Sequence, residues 1–190
     1  MVYQRRLGLE RASLNKRVEA LVHHVVYVAV RLQALKGGKN RLVIRRSNRG
    51  IIAQAVKYSV DGDMTISTAR SEELRKLGWM PRRNTPTAYL TGMALAKKLK
   101  GKADDYVLDI GVHNPAKASV LFAAALGAAD NGLKLLNNID FDRERLSGKH
   151  ITDYLSKAKE GTQFSAYKKG GMDAAKMEKL FEETKKKLSE

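Results

Sequence analysis

Four arginines, Arg41, Arg45, Arg46 and Arg49, crowd the segment RLVIRRSNRG around what the residue pattern predicts to be the bend of a β-hairpin. A tight turn needs only small residues that tolerate positive φ, such as Ser, Asn and Gly, so the fold itself does not require these arginines. Guanidinium groups bind phosphate oxygens well, often through two parallel hydrogen bonds. The cluster therefore indicates a phosphate-rich partner outside the chain.

Positive charge is concentrated at the beginning of the chain. The 190 residues contain 36 Lys and Arg against 20 Asp and Glu, which gives a formal net charge of +16. Residues 1–49 hold 12 basic and only 2 acidic side chains. Such an excess is typical of proteins that bind a polyanion, and no helix-turn-helix or basic zipper pattern indicates DNA. We therefore predict an RNA-binding protein.

Carboxylates near predicted strand ends leave one enzymatic alternative open, a nuclease that uses divalent metal ions. These side chains are Asp61, Asp63, Asp104, Asp105 and Asp109, and a cluster of acids on a mixed sheet could hold Mg²⁺. The simpler interpretation is that Asp61 and Asp63 belong to a turn and that Asp104 and Asp105 lie at the exposed start of a strand. Phosphate-loop, dinucleotide-binding and hydrolase motifs are missing from the sequence. We therefore predict no enzyme, no small-molecule substrate, no cofactor and no metal.

The chain contains no cysteine, which is typical of proteins of the reducing cytosol, so we expect a cytoplasmic protein. The apolar run at residues 21–30 ends at Arg31 and falls well short of the ~20 residues that cross a bilayer. We therefore predict no membrane partner and interpret residues 13–35 as a helix.

The hairpin that would position the arginines can be predicted from alternation and turn residues. If Asn48 and Arg49 form a two-residue turn, the apolar side chains of the flanking strands share one face, and Arg41 and Arg45 lie on the other. A second turn at residues 61–62 would add a third strand, with Thr65 and Ser67 on that mixed face. A further strand is predicted over residues 105–111.

Capping residues predict the helices that follow the hairpins. Ser71 is expected to cap a short helix over residues 72–77 that ends at Gly78. Thr85 is expected to cap a second helix with Pro86 in its first position, and a third helix is predicted over residues 116–129. Met177, Leu180, Phe181 and Leu188 form the apolar stripe of a helix in the C-terminal tail, which would dock on the body or on a partner.

These elements predict an α/β fold in which an antiparallel meander and a further strand carry helices packed on one face. A basic N-terminal arm and a helical C-terminal extension flank it. The predicted division is an arm and N-terminal helix at residues 1–35, an RNA-binding core at 36–148 and a helical extension at 149–190.

Three segments carry a family resemblance: RLVIRRSNRGIIAQAV, GWMPRRNTPTAYLTG and YVLDIGVHNPAKASVLFAAALGAADNGL. Their order and spacing resemble the 5S rRNA-binding large-subunit ribosomal proteins, number eighteen in the universal nomenclature, in the long form of archaea and eukaryotes. The resemblance covers residues 31–154. It implies a structural protein without catalysis that binds 5S rRNA and anchors it to large-subunit rRNA in the central protuberance. A neighbouring 5S-binding ribosomal protein would be a further partner.

The resemblance also implies which residues contact RNA. The N-terminal arm would thread into rRNA, the hairpin would meet phosphates, and side chains at helix starts would lie where backbone amides favour phosphate. Arg82 and Arg83 stand where members of the family tend to have Thr-Gly, and they would supply charge there. A general nucleic-acid binder is the second hypothesis among non-enzymes. The complete predicted set is Arg5, Arg6, Arg11, Lys16, Arg17, Arg31, Lys36, Lys39, Arg41, Arg45, Arg46, Ser47, Asn48, Arg49, Arg82, Arg83, Asn84, Thr85, Lys117 and Ser119.

Overall fold

A five-stranded mixed sheet with helices packed against it forms the centre of the protein, which confirms the predicted α/β fold. The computed structural model describes residues 28, 32, 36–100, 105–113, 115–116, 118–136, 139, 141–157 and 176–189. The predicted basic arm and nearly all of the helix predicted over residues 13–35 lie outside the described residues.

Three antiparallel strands come first in the chain: β1 (Asn40–Arg46), β2 (Ile51–Ser59) and β3 (Gly62–Arg70). Strand β4 (Asp105–Asp109) lies parallel to β1 on the side away from β2, and the short strand β5 (Lys134–Leu135) lies parallel to β4. The spatial order is β3-β2-β1-β4-β5.

The register of the first hairpin is the one predicted from a turn at residues 48–49. Leu42 pairs with Ala55 and Ile44 pairs with Ala53, and all four side chains are fully buried. A slip of one residue would turn this apolar face towards solvent, so burial fixes the register.

The second hairpin differs from its prediction. Ser59 pairs with Gly62, so the turn consists of Val60 and Asp61 and begins one residue earlier than predicted. An extra residue in β3, Ile66, then forms a β-bulge opposite Ala55 and Val56, and the shifted pairing places Ser67 on the apolar face rather than on the mixed face. The sequence pattern assumed continuous alternation, which a bulge interrupts.

The helices follow in chain order. They are a 3₁₀ helix (Ser71–Leu77), α1 (Thr85–Lys98), α2 (Val120–Asp130), α3 (Arg143–Ser147), α4 (Lys149–Lys157) and α5 (Met177–Ser189). Helix α1 packs on β2 and β3, and α2 packs on α1 and β1. None of the described helices is long and apolar enough to cross a membrane.

The 3₁₀ helix ends at Gly78 as predicted, in a left-handed conformation with φ of 87° that suits glycine. Its start differs from the prediction, because Ser71 does not cap it. Instead the Ser71 Oγ accepts a hydrogen bond from the Ile51 backbone N–H at 3.1 Å, which ties the helix to the first residue of β2.

Two further helix starts also differ from their predictions. The Asn84 side chain caps α1 by accepting a hydrogen bond from Thr87 N–H at 3.1 Å, so Thr85 is the first helical residue rather than the cap. Helix α2 begins four residues later than predicted, with Ser119 as its cap. The reason is local, since Ala118 has a φ of 59° and a left-handed residue cannot belong to a right-handed helix.

The C-terminal helix α5 docks on the body of the protein rather than standing apart. The Phe181 ring packs against Trp79 and Tyr89, with centroid distances of 6.3 Å and 5.6 Å. The Lys97 and Lys100 Nζ atoms donate hydrogen bonds to backbone carbonyls in the last turn of α5, at 3.0 Å and 3.2 Å. Burial of each large apolar side chain here contributes roughly 1.5–3 kcal/mol, so the body is a sufficient docking partner.

Candidate RNA-binding surface

One end of the sheet, which we call the arginine end, brings together the turn at residues 46–50 and the segment after β4. Strands β1 and β4 are parallel and both finish there, whereas the antiparallel strand β2 begins there. The start of the 3₁₀ helix joins them through Ser71. The Arg83 Nη1 lies 3.5 Å from Asn48 Oδ1, so the segment before α1 reaches the same end.

The turn at this end is held in one shape by its own hydrogen bonds. The Ser47 Oγ accepts hydrogen bonds from the backbone N–H groups of Gly50 and Arg49, at 3.0 Å and 3.3 Å, and Ser47 N–H donates to the Gly50 carbonyl at 2.8 Å. A Cβ on Gly50 would lie 2.6 Å from the Ser71 Oγ, so a side chain here would displace that hydroxyl from its hydrogen bond to the Ile51 N–H. Ser47 therefore shapes the turn, and a preformed turn loses little entropy on binding a ligand.

Arg41 and Arg45 are held together by a buried carboxylate. Asp109 lies directly opposite Val43 across β1 and β4, so the two arginines flank it diagonally. Its oxygens accept hydrogen bonds from Arg41 Nη1 at 3.2 Å, Arg45 Nη2 at 2.8 Å and Gly111 N–H at 2.9 Å. The Arg41 Nη2 also lies 2.5 Å from a carboxylate oxygen of Asp63. This network ties three strands together on the face away from the helices.

The network gives the first two arginines a structural role. Arg41 is only 3% exposed, and a side chain this buried cannot reach a phosphate, so we leave it out of the surface. Arg45 is partly exposed, but its guanidinium also donates to the backbone carbonyls of Ile44 and Asp109. The mixed face predicted from alternation is therefore present. Carboxylates of the protein itself neutralise its two arginines, Arg41 and Arg45.

Arg46 and Arg49 are different, because both side chains are exposed. Neither guanidinium makes an ion pair or a hydrogen bond with any residue that the structure describes. Arg83 is exposed beside them and Arg82 is half-buried. Arg46 and Arg49 lie on the rigid turn and Arg83 lies in the segment before α1, so these three side chains supply the accessible positive charge of the arginine end.

The predicted polar contacts at helix starts have local roles. The Asn84 side chain caps α1, Thr85 is buried and so is left out of the surface, and the Ser119 Oγ accepts from Phe122 N–H at 3.5 Å at the start of α2. At the start of α1 the Thr87 N–H is bonded to the Asn84 side chain, the Ala88 N–H is bonded to the Asn84 carbonyl, and Pro86 has no N–H. The start of α1 therefore contributes little beyond its helix dipole to the positive potential next to Arg83.

The remaining predicted residues do not join the arginine end. Lys36 and Lys39 precede β1 and so lie near the opposite end of the sheet. There the Nζ atoms of Lys39 and Lys134 each lie 2.8 Å from an oxygen of Asp105. Hydrogen bonds from Lys134 and then Lys39 lower the pKa of Asp105 to about 2. The predicted contacts that fall outside the described residues are Arg5, Arg6, Arg11, Lys16, Arg17, Arg31 and Lys117.

His113 is a residue of this surface that is missing from the set of RNA contacts predicted from the sequence. It lies after β4, and its pKa is lowered, first by burial and then by the positive charges of Arg46 and Arg45. A neutral imidazole both donates and accepts hydrogen bonds, so His113 offers polar contact without charge. Its place in the segment LDIGVHNP, directly after a strand that ends beside the arginines, was the signal that could have identified it.

The alternative of a metal-dependent nuclease finds no cluster in the described part of the chain. Asp109 and Asp63 are bound by arginine, and Asp105 lies between two lysines. No group of three or more His, Asp or Glu side chains in the described residues is arranged to hold a metal ion. Asp104 lies outside those residues.

Comparison with known proteins identifies relatives of the chain. A family described as ribosomal large subunit proteins 60S L5 and 50S L18 matches residues 28–106, which include the arginine turn and strands β1 to β3. The large ribosomal subunit protein uL18 of Thermofilum pendens is 39% identical over 190 residues, an alignment that covers 95% of both chains. The similarity thus extends well beyond the segment that the family matches.

Proposed function

The chain belongs to the uL18 family of large-subunit ribosomal proteins, and on this premise we propose that it binds 5S rRNA and anchors it to large-subunit rRNA. The resemblance found in the sequence is thereby confirmed at the level of the family. As a member, the protein is a structural component of the cytoplasmic ribosome and takes part in translation, and its family is not a class of enzymes.

The observation that carries the proposal is the group of exposed arginines on a rigid turn. Arg46, Arg49 and Arg83 lie together at one end of the sheet, with His113 beside them and the start of α1 nearby. Lys and Arg side chains that neutralise phosphates release counterions, which gives affinity without sequence preference. Neutral polar groups such as that of His113 add contacts to bases or sugars.

The choice of 5S rRNA rests on the resemblance of three segments to 5S-binding members of the family. NTPTAYLTG forms the start of α1, and LDIGVHNP forms the end of β4 and the segment after it. Both segments flank the arginine turn, so the stretches that carry the resemblance are also those that shape the surface. We propose a location in the central protuberance, beside a second 5S-binding ribosomal protein, with the N-terminal arm supplying further cations.

The test is the identity of the RNA that copurifies with the full-length protein at moderate salt. We expect 5S rRNA, with protection of its backbone lost when Arg46 and Arg49 are replaced by Ala. A mixed pool of RNA or DNA fragments would instead favour a general nucleic-acid binder. Turnover of RNA that depends on Mg²⁺ would favour the nuclease.

A further inference from the structure

The hairpin between β2 and β3 projects from the end of the sheet opposite the arginine turn. Strand β2 is nine residues long, so its two ends lie about 26 Å apart at ~3.3 Å per residue. Every residue from 57 to 65 except the half-buried Ser59 is exposed. This part of the hairpin thus has both of its faces in solvent.

Large apolar side chains occupy these exposed positions. Tyr58 is 49% exposed, Val60 is 92% exposed and Met64 is 59% exposed. Tyr58 pairs with Asp63 on one face of the hairpin, whereas Met64 pairs with Lys57 on the other face. Val60 lies in the turn between them. The apolar groups therefore cover both faces and the tip, and an occupant that buries them all must surround the hairpin.

The stability of the fold does not explain why apolar side chains occupy these exposed positions. An exposed two-stranded hairpin is marginally stable in water, and nonpolar side chains on it cost solubility without filling a core. Val60 occupies a turn position where a polar residue or glycine is usual. Large apolar groups that a fold leaves exposed together on one projecting element mark a site of association.

The charge of the projecting segment argues against RNA as the occupant. In a protein with a net charge of +16, residues 57–64 carry only one basic side chain, Lys57, and two acidic ones, Asp61 and Asp63. Asp63 is paired with Arg41, which leaves the exposed Asp61 at the tip. A carboxylate at the tip repels phosphates, whereas it complements lysine and arginine on a protein partner.

We propose that the β2–β3 hairpin is a protein-docking element that inserts into an apolar cleft of a basic ribosomal protein. Tyr58 and Met64 pack against the two walls of the cleft, and Val60 fills its floor. Lysine or arginine side chains at the rim of the cleft contact Asp61. The protein would thus bind RNA at one end of its sheet and a protein at the other.

Site-specific photocrosslinking in assembled large subunits tests this assignment. A photoactivatable phenylalanine analogue is placed at position 58, 60 or 64, and at the exposed position 144 on α3 as a control. We expect positions 58, 60 and 64 to crosslink to one and the same ribosomal protein, at peptides rich in lysine or arginine, and position 144 not to crosslink to it. Crosslinks to rRNA, crosslinks to different proteins from the two faces, or no crosslink would each overturn the proposal.

A variant measures the contribution of the side chains themselves. The triple substitution Tyr58→Ser, Val60→Ser and Met64→Ser removes exposed groups only, so its thermal unfolding and its affinity for 5S rRNA should equal those of the wild type. Because a few buried anchors dominate an interface, the amount of crosslinked partner retained per subunit should fall by at least roughly tenfold after a salt wash. Unchanged retention would contradict the assignment. Loss of 5S rRNA binding by this variant would place RNA on the hairpin and would also overturn it.

Discussion

Replacing Asp109 by Asn should destabilise the protein strongly, although the change keeps the size and shape of the side chain. Asp109 accepts hydrogen bonds from Arg41, Arg45 and the Gly111 backbone N–H, and it is nearly fully buried. An amide has no charge and can accept at only one of its two positions. The variant therefore leaves the guanidinium of Arg41 buried with one compensating carboxylate fewer.

The magnitude follows from the burial of the pair. Removing one partner of a buried ion pair costs about 3–5 kcal/mol, because the remaining charge stays out of water. For a chain of this size, 1 kcal/mol corresponds to roughly 2–4 °C in the unfolding temperature, so we expect a decrease of about 6–20 °C. The effect should be large because Asp109 joins β1 to β4 and, through Arg41 and Asp63, joins both to β3.

Thermal unfolding followed by circular dichroism measures the effect at neutral pH. The matched control is Asp61→Asn in the exposed turn of the second hairpin, which should leave the unfolding temperature within about 2 °C of the wild type. Equal unfolding temperatures for Asp109→Asn and the wild type would refute the argument that these arginines hold the sheet together. They would then be available for RNA, as the sequence alone suggested.

Three further predictions concern RNA binding, helix packing and acid stability. The double substitution Arg46→Ala and Arg49→Ala should reduce the slope of log K against log salt for 5S rRNA by about 2 and leave thermal unfolding unchanged; an unchanged slope would show that neither side chain contacts phosphate. Gly127→Ala should lower the free energy of unfolding in urea by about 1–3 kcal/mol, because the new Cβ would overpack the helix interface. That Cβ would clash with the Tyr89 carbonyl oxygen, and a gain in stability would contradict the close approach of α1 and α2. Because folding lowers the pKa of Asp105 from 3.8 to about 2, its stabilising contribution is present above about pH 4 and is lost as the pH falls towards 2. The difference in unfolding temperature between wild type and Asp105→Asn should therefore shrink over that range, and a constant difference would contradict the ion pairs.

The sequence predicted the hairpin but could not divide its arginines between structure and binding. Alternation placed Arg41 and Arg45 on one face, and the turn residues placed Arg49 at the bend, both as found. No local pattern reveals that Asp109 binds both of these strand arginines. It lies 64 residues from Arg45 and 68 residues from Arg41 in the chain. The role of charged residues in strands can therefore be assigned only once the order of the strands in the sheet is known. The role of cations in a turn can be predicted without it.

Errors at element boundaries had local physical causes. In the sequence Asn-Thr-Pro either Asn84 or Thr85 could cap the helix. Asn84 is the cap because its side chain accepts a hydrogen bond from the N–H of Thr87. The late start of α2 depends on the left-handed Ala118, a conformation that is uncommon outside Gly and Asn and that sequence does not predict. Family membership, by contrast, was predictable from sequence, since whole segments carry it rather than single residues.

The salt dependence of binding to 5S rRNA tests most directly whether the positive charge of the protein binds RNA phosphates. If the predicted N-terminal arm and the arginine end together contact roughly 6–10 phosphates, affinity should fall by ~10³ to 10⁵-fold between 50 and 200 mM salt, and 5S rRNA should outcompete unrelated RNA throughout. A flat response, or equal displacement by any RNA, would contradict the account.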